Sequence, residues 1–409
     1  MRPSLRAFAF LGITALAVLA VLWGTRDSPV ERAAAGLLGE RWYRVTLHGD
    51  PVGAFVSRGK RGREGYRFET ELRFRLGSGA EVHIVDTMDF DAAPDHRLQA
   101  ATHQFASGET SVHTALERRG EVLEAVVDGR RSPLDWDYRL SDYVMLEAWL
   151  SRERGPRARA LTRSLDLAEL RIEREIWQVV ERNATGYRLR QASAAGHTEV
   201  QLDAGLVPLS FDLAGVFSMK RVAGADEASA WREAPPADLQ ERHAGPVDVP
   251  LTTPHALTQL TLRVHAEGDT EPDADFGSWP ALSPDGDAGW ILVAGGGADR
   301  TVESGEASEW SRATPSLPAS DPAMRRLADR AMLGMESPHE QVDALVDFVH
   351  AYVEYAEVEG VQTVAETVRS RRGDCTEYAD LLTTLARARG ITAPTGTGLA
   401  NAPQTPAIA

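Results

Sequence analysis

Between Arg41 and about Ala223, apolar and polar residues alternate with a period of two. The clearest run has an apolar or β-branched residue at every second position: Tyr66, Phe68, Thr70, Leu72 and Phe74. Charged residues fill the positions between them, so one face of this strand is predicted to be buried and the other to be exposed to solvent. Glycine-containing turns separate successive runs. The pattern predicts an antiparallel sheet with one solvated face, either curled or packed on a second sheet as a sandwich.

Two shorter features interrupt or follow this region. A helix is predicted around Asp142–Leu150 within the β-rich part. After Pro246, apolar alternation predicts one strand at Leu260–Val264 and another at Trp290–Ala294. The stretches around them are rich in Asp, Gly, Pro and Ser, and they are interpreted as linkers.

From Asp321 onward the pattern changes to helical spacing. Asp321-Pro322 combines a cap with a proline in the first turn, which predicts a helix start. Three capping boxes predict further starts: Ser337 to Glu340, Thr363 to Glu366 and Asp374 to Glu377. The last of these helices ends before Gly390.

The chain is therefore expected to be an α+β protein of four parts. We predict an N-terminal anchor at residues 1–30, an antiparallel β-rich domain at 37–245, a small β segment and linker at 246–320, and a partial helical core at 321–409.

The N-terminus contains an apolar run from Ala7 to Gly24 that follows Arg2 and Arg6. Eighteen residues of helix approach the thickness of a bilayer core, and basic residues before the run keep the short tail in the cytoplasm. We predict a single-pass signal anchor in the inner (cytoplasmic) membrane, with the bulk of the chain extracytoplasmic. A cleaved signal peptide is the alternative.

Composition excludes several classes of function. The 409 residues carry 44 Lys and Arg against 60 Asp and Glu, a formal net charge of −16, which gives no electrostatic support for nucleic-acid binding. The single cysteine, Cys375, excludes an internal disulfide framework and metal sites built on cysteine pairs. The histidines of the β-rich region lack the spacing of metal ligands, so neither a metal nor another cofactor is predicted.

Cys375 lies in the first turn of a predicted helix. Unpaired amides and the helix dipole at that position favour the thiolate and raise its reactivity. A small buried hydrophobe is the structural alternative, because free cysteine is often buried.

The sequence around this cysteine resembles the core of bacterial transglutaminase-like proteins. The resemblance is carried by Arg372-Gly373-Asp374-Cys375-Thr376-Glu377-Tyr378-Ala379 and by the apolar positions up to Ile391, and it covers about a fifth of the chain, from Arg325 to Leu399. It implies a papain-like cysteine enzyme in which Cys375 attacks an amide of a protein or peptide and forms a thioester, which passes the acyl group to an amine or to water.

One departure limits this implication. The family's histidine and aspartate follow the cysteine helix, but no histidine follows Cys375 here, and the later side-chain carboxylates are Glu377 and Asp380 on the same helix. His339 and His350 lie upstream, where helix-surface positions are expected. The chain reads as stopped early or as out of frame after the cysteine helix. Because the sheet that normally covers this helix is missing, the segment is expected to be marginally stable.

Three hypotheses follow. The first is a membrane-anchored thiol enzyme acting on amides, impaired as written because the catalytic histidine and aspartate are missing. The second is an inactive relative that serves binding or assembly in the cell envelope. In the third, the β-rich domain is the functional part and binds an apolar or protein ligand.

Overall fold

The computed structural model describes residues 28–75, 80–92, 94–127, 129–193, 196–213, 217–234, 259–264, 281–284, 290–295, 310–356, 358 and 362–395. Within these residues, a large antiparallel sheet is followed by a helical C-terminal segment, as the pattern predicts. The apolar run 7–24 lies outside the described residues. None of the helices described is both long enough and apolar enough to span a membrane.

The described residues of the β-rich domain form one continuous fourteen-stranded antiparallel sheet. Its strands are β1 Gly39–Leu47, β2 Asp50–Arg61, β3 Gly65–Phe74, β4 Val82–Asp91, β5 Leu98–Ser107, β6 Thr110–Arg119, β7 Val122–Val127, β8 Arg130–Pro133, β9 Arg159–Asp166, β10 Arg171–Asn183, β11 Gly186–Ser193, β12 Gly196–Asp203, β13 Pro208–Leu213 and β14 Phe217–Val222. Neighbouring strands follow each other along the chain, except where β1 pairs with β14 and so joins the two halves. This leaves β8 and β9 at opposite ends of the strand order.

The sheet is curled rather than packed on a second sheet. The hydroxyl of Thr114 in β6 donates a hydrogen bond of 2.7 Å to the carbonyl of Leu167, just beyond β9, so strands near opposite ends of the order meet. One hydrophobic core accordingly contains Leu116 from β6 together with Leu165 and Ile172 from β9 and β10. Of the two arrangements predicted, the curled one is observed.

Short helices fill the concave face of this sheet: α1 Pro29–Gly36, α2 Leu140–Tyr143 and α3 Met145–Leu150. The helix predicted at Asp142–Leu150 is thus present as two pieces. They are separated at Val144, whose φ and ψ of −105° and 21° depart from the helical region.

Ion pairs occupy the solvated face predicted for β3. Arg58 of β2 contacts Glu69 at 2.8 Å and Glu71 at 3.0 Å. Burial alone would raise the pKa of Glu71, but the hydrogen bonds from Arg58 and Arg73 outweigh it and lower the pKa to about 2. As the alternation predicts, β3 therefore has one apolar face and one face whose charged side chains form ion pairs.

Two small features lie between the sheet and the C-terminal segment. Helix α4, Ala225–Ser229, leads into a 3₁₀ turn at Ala230–Glu233. Beyond it, β15 Gln259–Val264, β16 Ala281–Pro284 and β17 Trp290–Gly295 form a three-stranded sheet with β17 in the centre. Both predicted strands are present, whereas the four-residue β16 was not predicted.

The described residues of the C-terminal segment, 310–356, 358 and 362–395, form four helices and one short parallel pair. They are α5 Pro322–Ala331, α6 Pro338–Tyr352, β18 Glu354–Tyr355, α7 Val364–Ser370, β19 Arg372–Gly373 and α8 Cys375–Ala388, hereafter the cysteine helix. Asp321 caps α5 by accepting a 2.6 Å hydrogen bond from the N–H of Ala323. Complete capping boxes begin α6, α7 and the cysteine helix at the predicted positions.

The apolar face of the cysteine helix is covered, in contrast to the sequence expectation. Leu381 and Leu385 are completely buried, in one core with Leu345 and Val349 of α6 and with side chains of α5. Helices α5 and α6 therefore cover the apolar face of the cysteine helix, a role that a sheet was expected to fill. Exposed apolar surface remains instead on α6, where Val342 is 40% exposed.

Candidate active site around Cys375

Cys375 is the first residue of the cysteine helix and is exposed. The preceding residue, Asp374, caps the helix by accepting a 2.8 Å hydrogen bond from the N–H of Thr376. In return, Glu377 Oε2 accepts a 2.9 Å hydrogen bond from the N–H of Asp374. The reciprocal bonds fix the backbone on both sides of the thiol and present it at the positive end of a 14-residue helix.

The chain entering the cysteine helix is held by the parallel pair. The N–H of Ala356 donates to the carbonyl of Gly373 at 2.9 Å, so the segment after α6 runs beside the residues that precede the thiol. Gly373 itself is buried against Glu377: a Cβ built on it would lie 2.4 Å from the Cβ of Glu377. Only glycine fits here without displacing the carboxylate that completes the capping box.

Substituting Gly373 with alanine is expected to break this capping box. The new methyl must push Glu377 away, which costs the hydrogen bond to Asp374 and about 1–2 kcal/mol of stability in the C-terminal segment. Hydrogen exchange of the first turn of the cysteine helix measures the loss. Gly390→Ala provides a contrast, because no atom lies within 4 Å of its Cβ position and its φ is +77°, so it strains the other end of the same helix. Unchanged protection near Cys375 in Gly373→Ala would contradict the assignment.

The two carboxylates that follow Cys375 on the same helix do not share its face. At 100° per residue, Glu377 and Asp380 lie about 200° and 140° round the helix from the thiol. Burial raises the pKa of Glu377, with a smaller contribution from the charge of Asp374. Burial also raises the pKa of Asp380, assisted by the negative charge of Glu169. Glu377 completes the capping box, and neither carboxylate lies on the face from which it could receive the proton of Cys375.

Tyr378 lies one turn after Cys375 on a neighbouring face, and it connects the helix to α6. Its hydroxyl donates to the carbonyl of Val353, and its ring lies edge-on to His350 with 6.4 Å between centroids. His350 is exposed, as predicted for a helix-surface residue, but it contacts the turn that follows the thiol. His339 points to solvent at the other end of α6, 3.7 Å from Asp343.

The β-rich domain reaches this segment at two places that the sequence did not predict. The hydroxyl of Thr110, at the start of β6, donates to Glu366 Oε2 of α7 at 2.9 Å. The loop after β9 brings Glu169 close enough for its charge to influence Asp380. Across the described ranges, no three His, Cys, Asp or Glu residues are grouped to hold a metal ion.

Comparison with known protein families identifies the segment that carries this geometry. Residues 325–408 match the transglutaminase-like superfamily. This confirms the resemblance inferred from the sequence around Cys375, and the transglutaminase-like segment includes α5 to α8 as well as the thiol. No curated protein matches the chain.

Two solved structures resemble the chain weakly. A β-barrel-like protein of the domain of unknown function DUF1849 from Brucella abortus is 13% identical, with a TM-score of 0.32, over 46% of this chain and 96% of that one. A DUF1089 family protein from Pseudomonas aeruginosa is 12% identical, with a TM-score of 0.24, over 38% of this chain and 87% of that one.

Proposed function

We propose that the chain is a thiol enzyme of transglutaminase-like type that acts on amide bonds, with Cys375 as its nucleophile. The observation that carries this proposal is an exposed thiol at a fully capped helix N-terminus within the matched residues. The sulfur attacks the amide carbonyl carbon, the C–N bond breaks and the amine leaves with a proton. An amine or water then attacks the thioester, takes the acyl group and releases the thiol.

Proton transfer is the weak step in this scheme. The thiol must lose a proton and the leaving amine must gain one, a role that histidine usually fills. In the part of the chain that the structure describes, no histidine is hydrogen-bonded to Cys375, and Glu377 and Asp380 lie away from its face. We therefore propose that the thiol is reactive in this chain, whereas its turnover is impaired.

We expect Cys375 to react with an alkylating agent while the chain shows no turnover of an amide substrate. Iodoacetamide should label Cys375 fully in the folded chain without denaturant, because the thiol is exposed, and Cys375→Ser should abolish the label. Incorporation of a fluorescent primary amine into a glutamine-containing protein, and ammonia release without the amine, should both stay at background. Mass spectrometry of the labelled peptide and a fluorescence assay measure the two quantities.

Two outcomes would contradict this proposal. A thiol that stays unmodified until denaturant is added would remove the nucleophile. Robust turnover that Cys375→Ser abolishes would show that the chain contains a working base; His350→Gln is then the first variant to test, because His350 contacts the turn that follows Cys375.

The location and the partners are proposed on the sequence alone. The apolar run 7–24 would anchor the chain in the inner membrane with the enzyme segment outside the cytoplasm, where a protein or peptide is the substrate. A non-catalytic binding or assembly role in the cell envelope is the second candidate. The contact of Thr110 with Glu366 favours it, because it joins the β-rich domain directly to the transglutaminase-like segment.

A further inference from the structure

The two ends of the fourteen-stranded sheet present edges of different character. At one end, β8 is four residues long and finishes with Pro133, which has no N–H to offer an added strand. Its Arg131 is also engaged, since it forms an ion pair of 2.7 Å with Glu117. At the other end, β9 is eight residues long and pairs only with β10 among the described strands. The edge of β9 is therefore the one that remains open to pairing.

The backbone of β9 directs alternate residues towards this edge. The carbonyl of Ala158, just before the strand, accepts a 2.9 Å hydrogen bond from the N–H of Val179 in β10. The carbonyl of Arg163 instead accepts a 3.4 Å hydrogen bond from the hydroxyl of Tyr138, which lies outside the sheet. Because residues two apart direct their backbone groups to the same side, Leu161 shares the orientation of Arg163. The N–H and C=O of Leu161 have no partner among the described residues, which leaves one donor and one acceptor free at the edge.

An exposed apolar pair lies beside these free backbone groups. Leu161 is 59% exposed and its register partner in β10, Ile176, is 55% exposed. Towards the turn between the two strands, the same face carries Leu165 opposite Ile172, and both of these pack against the core of the sheet. The apolar face of β9 and β10 is therefore covered at one end and uncovered at the other, next to the open edge.

Uncompensated arginines flank this apolar pair along the strands. Arg159 lies two residues before Leu161, and Arg174 lies two residues before Ile176 on the other side of the pair. Both arginines are exposed, and neither forms an ion pair within the described residues. By contrast, Arg163 reaches Asp142 at 3.1 Å. In a chain with a formal net charge of −16, two free positive charges on one edge favour an acidic partner.

We propose that the edge of β9 binds an extended acidic peptide of a partner protein as an added antiparallel strand. An apolar residue of the peptide lies opposite Leu161 and packs on Leu161 and Ile176, while its N–H and C=O bond to the free backbone groups of Leu161. Acidic residues two positions before and after it face Arg159 and Arg174. A second copy of this chain fits less well, because pairing two β9 edges about Leu161 places Arg159 of each copy beside Arg163 of the other. The surface is separate from Cys375 and does not depend on its reactivity.

Fluorescence anisotropy with the full chain and three labelled heptapeptides tests this proposal. The parent peptide is Thr-Glu-Thr-Val-Thr-Glu-Thr, the second has lysine in place of both glutamates, and the third has a methyl group on the backbone nitrogen of its valine. The parent should bind about tenfold more tightly than the lysine peptide, because only the parent complements the arginines. Methylation should weaken binding about tenfold, because the methylated nitrogen cannot donate to the carbonyl of Leu161. Absence of binding by the parent, or equal affinity for the parent and either other peptide, would overturn the proposal.

Variants separate this edge from adsorption elsewhere on the chain. Leu161→Thr keeps a residue suited to a strand but removes most of the apolar contact, so it should weaken binding of the parent peptide about fivefold. Val122→Thr is the matched control, because Val122 is 43% exposed at the start of β7, and it should behave as wild type. Arg159→Gln should weaken binding about threefold, whereas Arg130→Gln on the opposite edge strand should not.

Two results with these variants would overturn the proposal. One is equal affinity of Leu161→Thr and wild type for the parent peptide. The other is a dimer of the peptide-free chain in analytical ultracentrifugation that Leu161→Thr disperses, because a second copy would then occupy the edge of β9.

Discussion

Replacing Leu381 with alanine is expected to destabilise the transglutaminase-like segment by about 3 kcal/mol, the cost typical of a fully buried leucine. Leu381 is 0% exposed and lies with Leu345 and Val349 in the core between the cysteine helix and α6. Its removal leaves a cavity between two helices that hold each other in place, since no further sheet is described there. Protection of cysteine-helix amides from hydrogen exchange should therefore fall about hundredfold.

Leu382→Ala supplies the control for this prediction. Leu382 is adjacent but only partly buried, so its truncation should cost about 1 kcal/mol and reduce protection less than tenfold. Hydrogen exchange with mass spectrometry on the full chain resolves the cysteine helix from the β-rich domain, which a global melting curve does not. Equal losses in the two variants would show that α5 and α6 do not form the cover described above.

The starts of the C-terminal helices could be predicted because their signals are local. Ser337 with Glu340, and Asp374 with Glu377, close hydrogen-bonded rings over three residues, and sequence alone specifies such rings. The cover of the cysteine helix could not be predicted in the same way. Whether Leu381 or Leu382 faces α6 depends on how two helices pack, and of the two only Leu381 is completely buried.

The strands of the β-rich domain could be predicted from alternation, but the closure of the sheet could not. Pairing of β1 with β14 brings Trp42 opposite Val222, a contact between distant parts of the chain that leaves no periodic signal. Curling depends on such contacts, as does the hydrogen bond of Thr114 to Leu167. Sequence alternation is equally compatible with a sandwich, which is why both arrangements were expected.

The position of Cys375 at a helix start was predicted, whereas the pairing of His103 with Asp86 was not. His103 has no metal-ligand spacing to other histidines, so the sequence marks it as ordinary. Only the register of β4 with β5 places it opposite Asp86, whose Oδ1 lies 2.7 Å from the Nδ1 of His103. A contact between two strands leaves no signal in motif spacing, whereas a capped helix terminus does.

Replacing Glu147 with glutamine is expected to stabilise the chain at pH 8 and to have little effect at pH 4. Burial raises the pKa of the Glu147 carboxyl from its ordinary value of 4.5 to about 7 in the folded chain. The folded state then binds more protons than the unfolded state between these two values, so wild-type stability falls as the pH rises through this window. The loss reaches about 3 kcal/mol above pH 7, and the glutamine variant escapes it.

Urea denaturation of both proteins from pH 4 to pH 8 measures this effect as a difference, which removes the contributions of groups that titrate in both. Glu153→Gln serves as the control, because the Glu153 side chain, just beyond α3, is 77% exposed and its substitution should give a difference that stays near zero over the whole range. A difference that is flat with pH for Glu147→Gln would mean that Glu147 is solvated and that its pKa is not raised in the folded chain. A difference that grows between pH 5 and pH 7 means that folding buries the Glu147 carboxyl in α3, so that ionising it costs free energy.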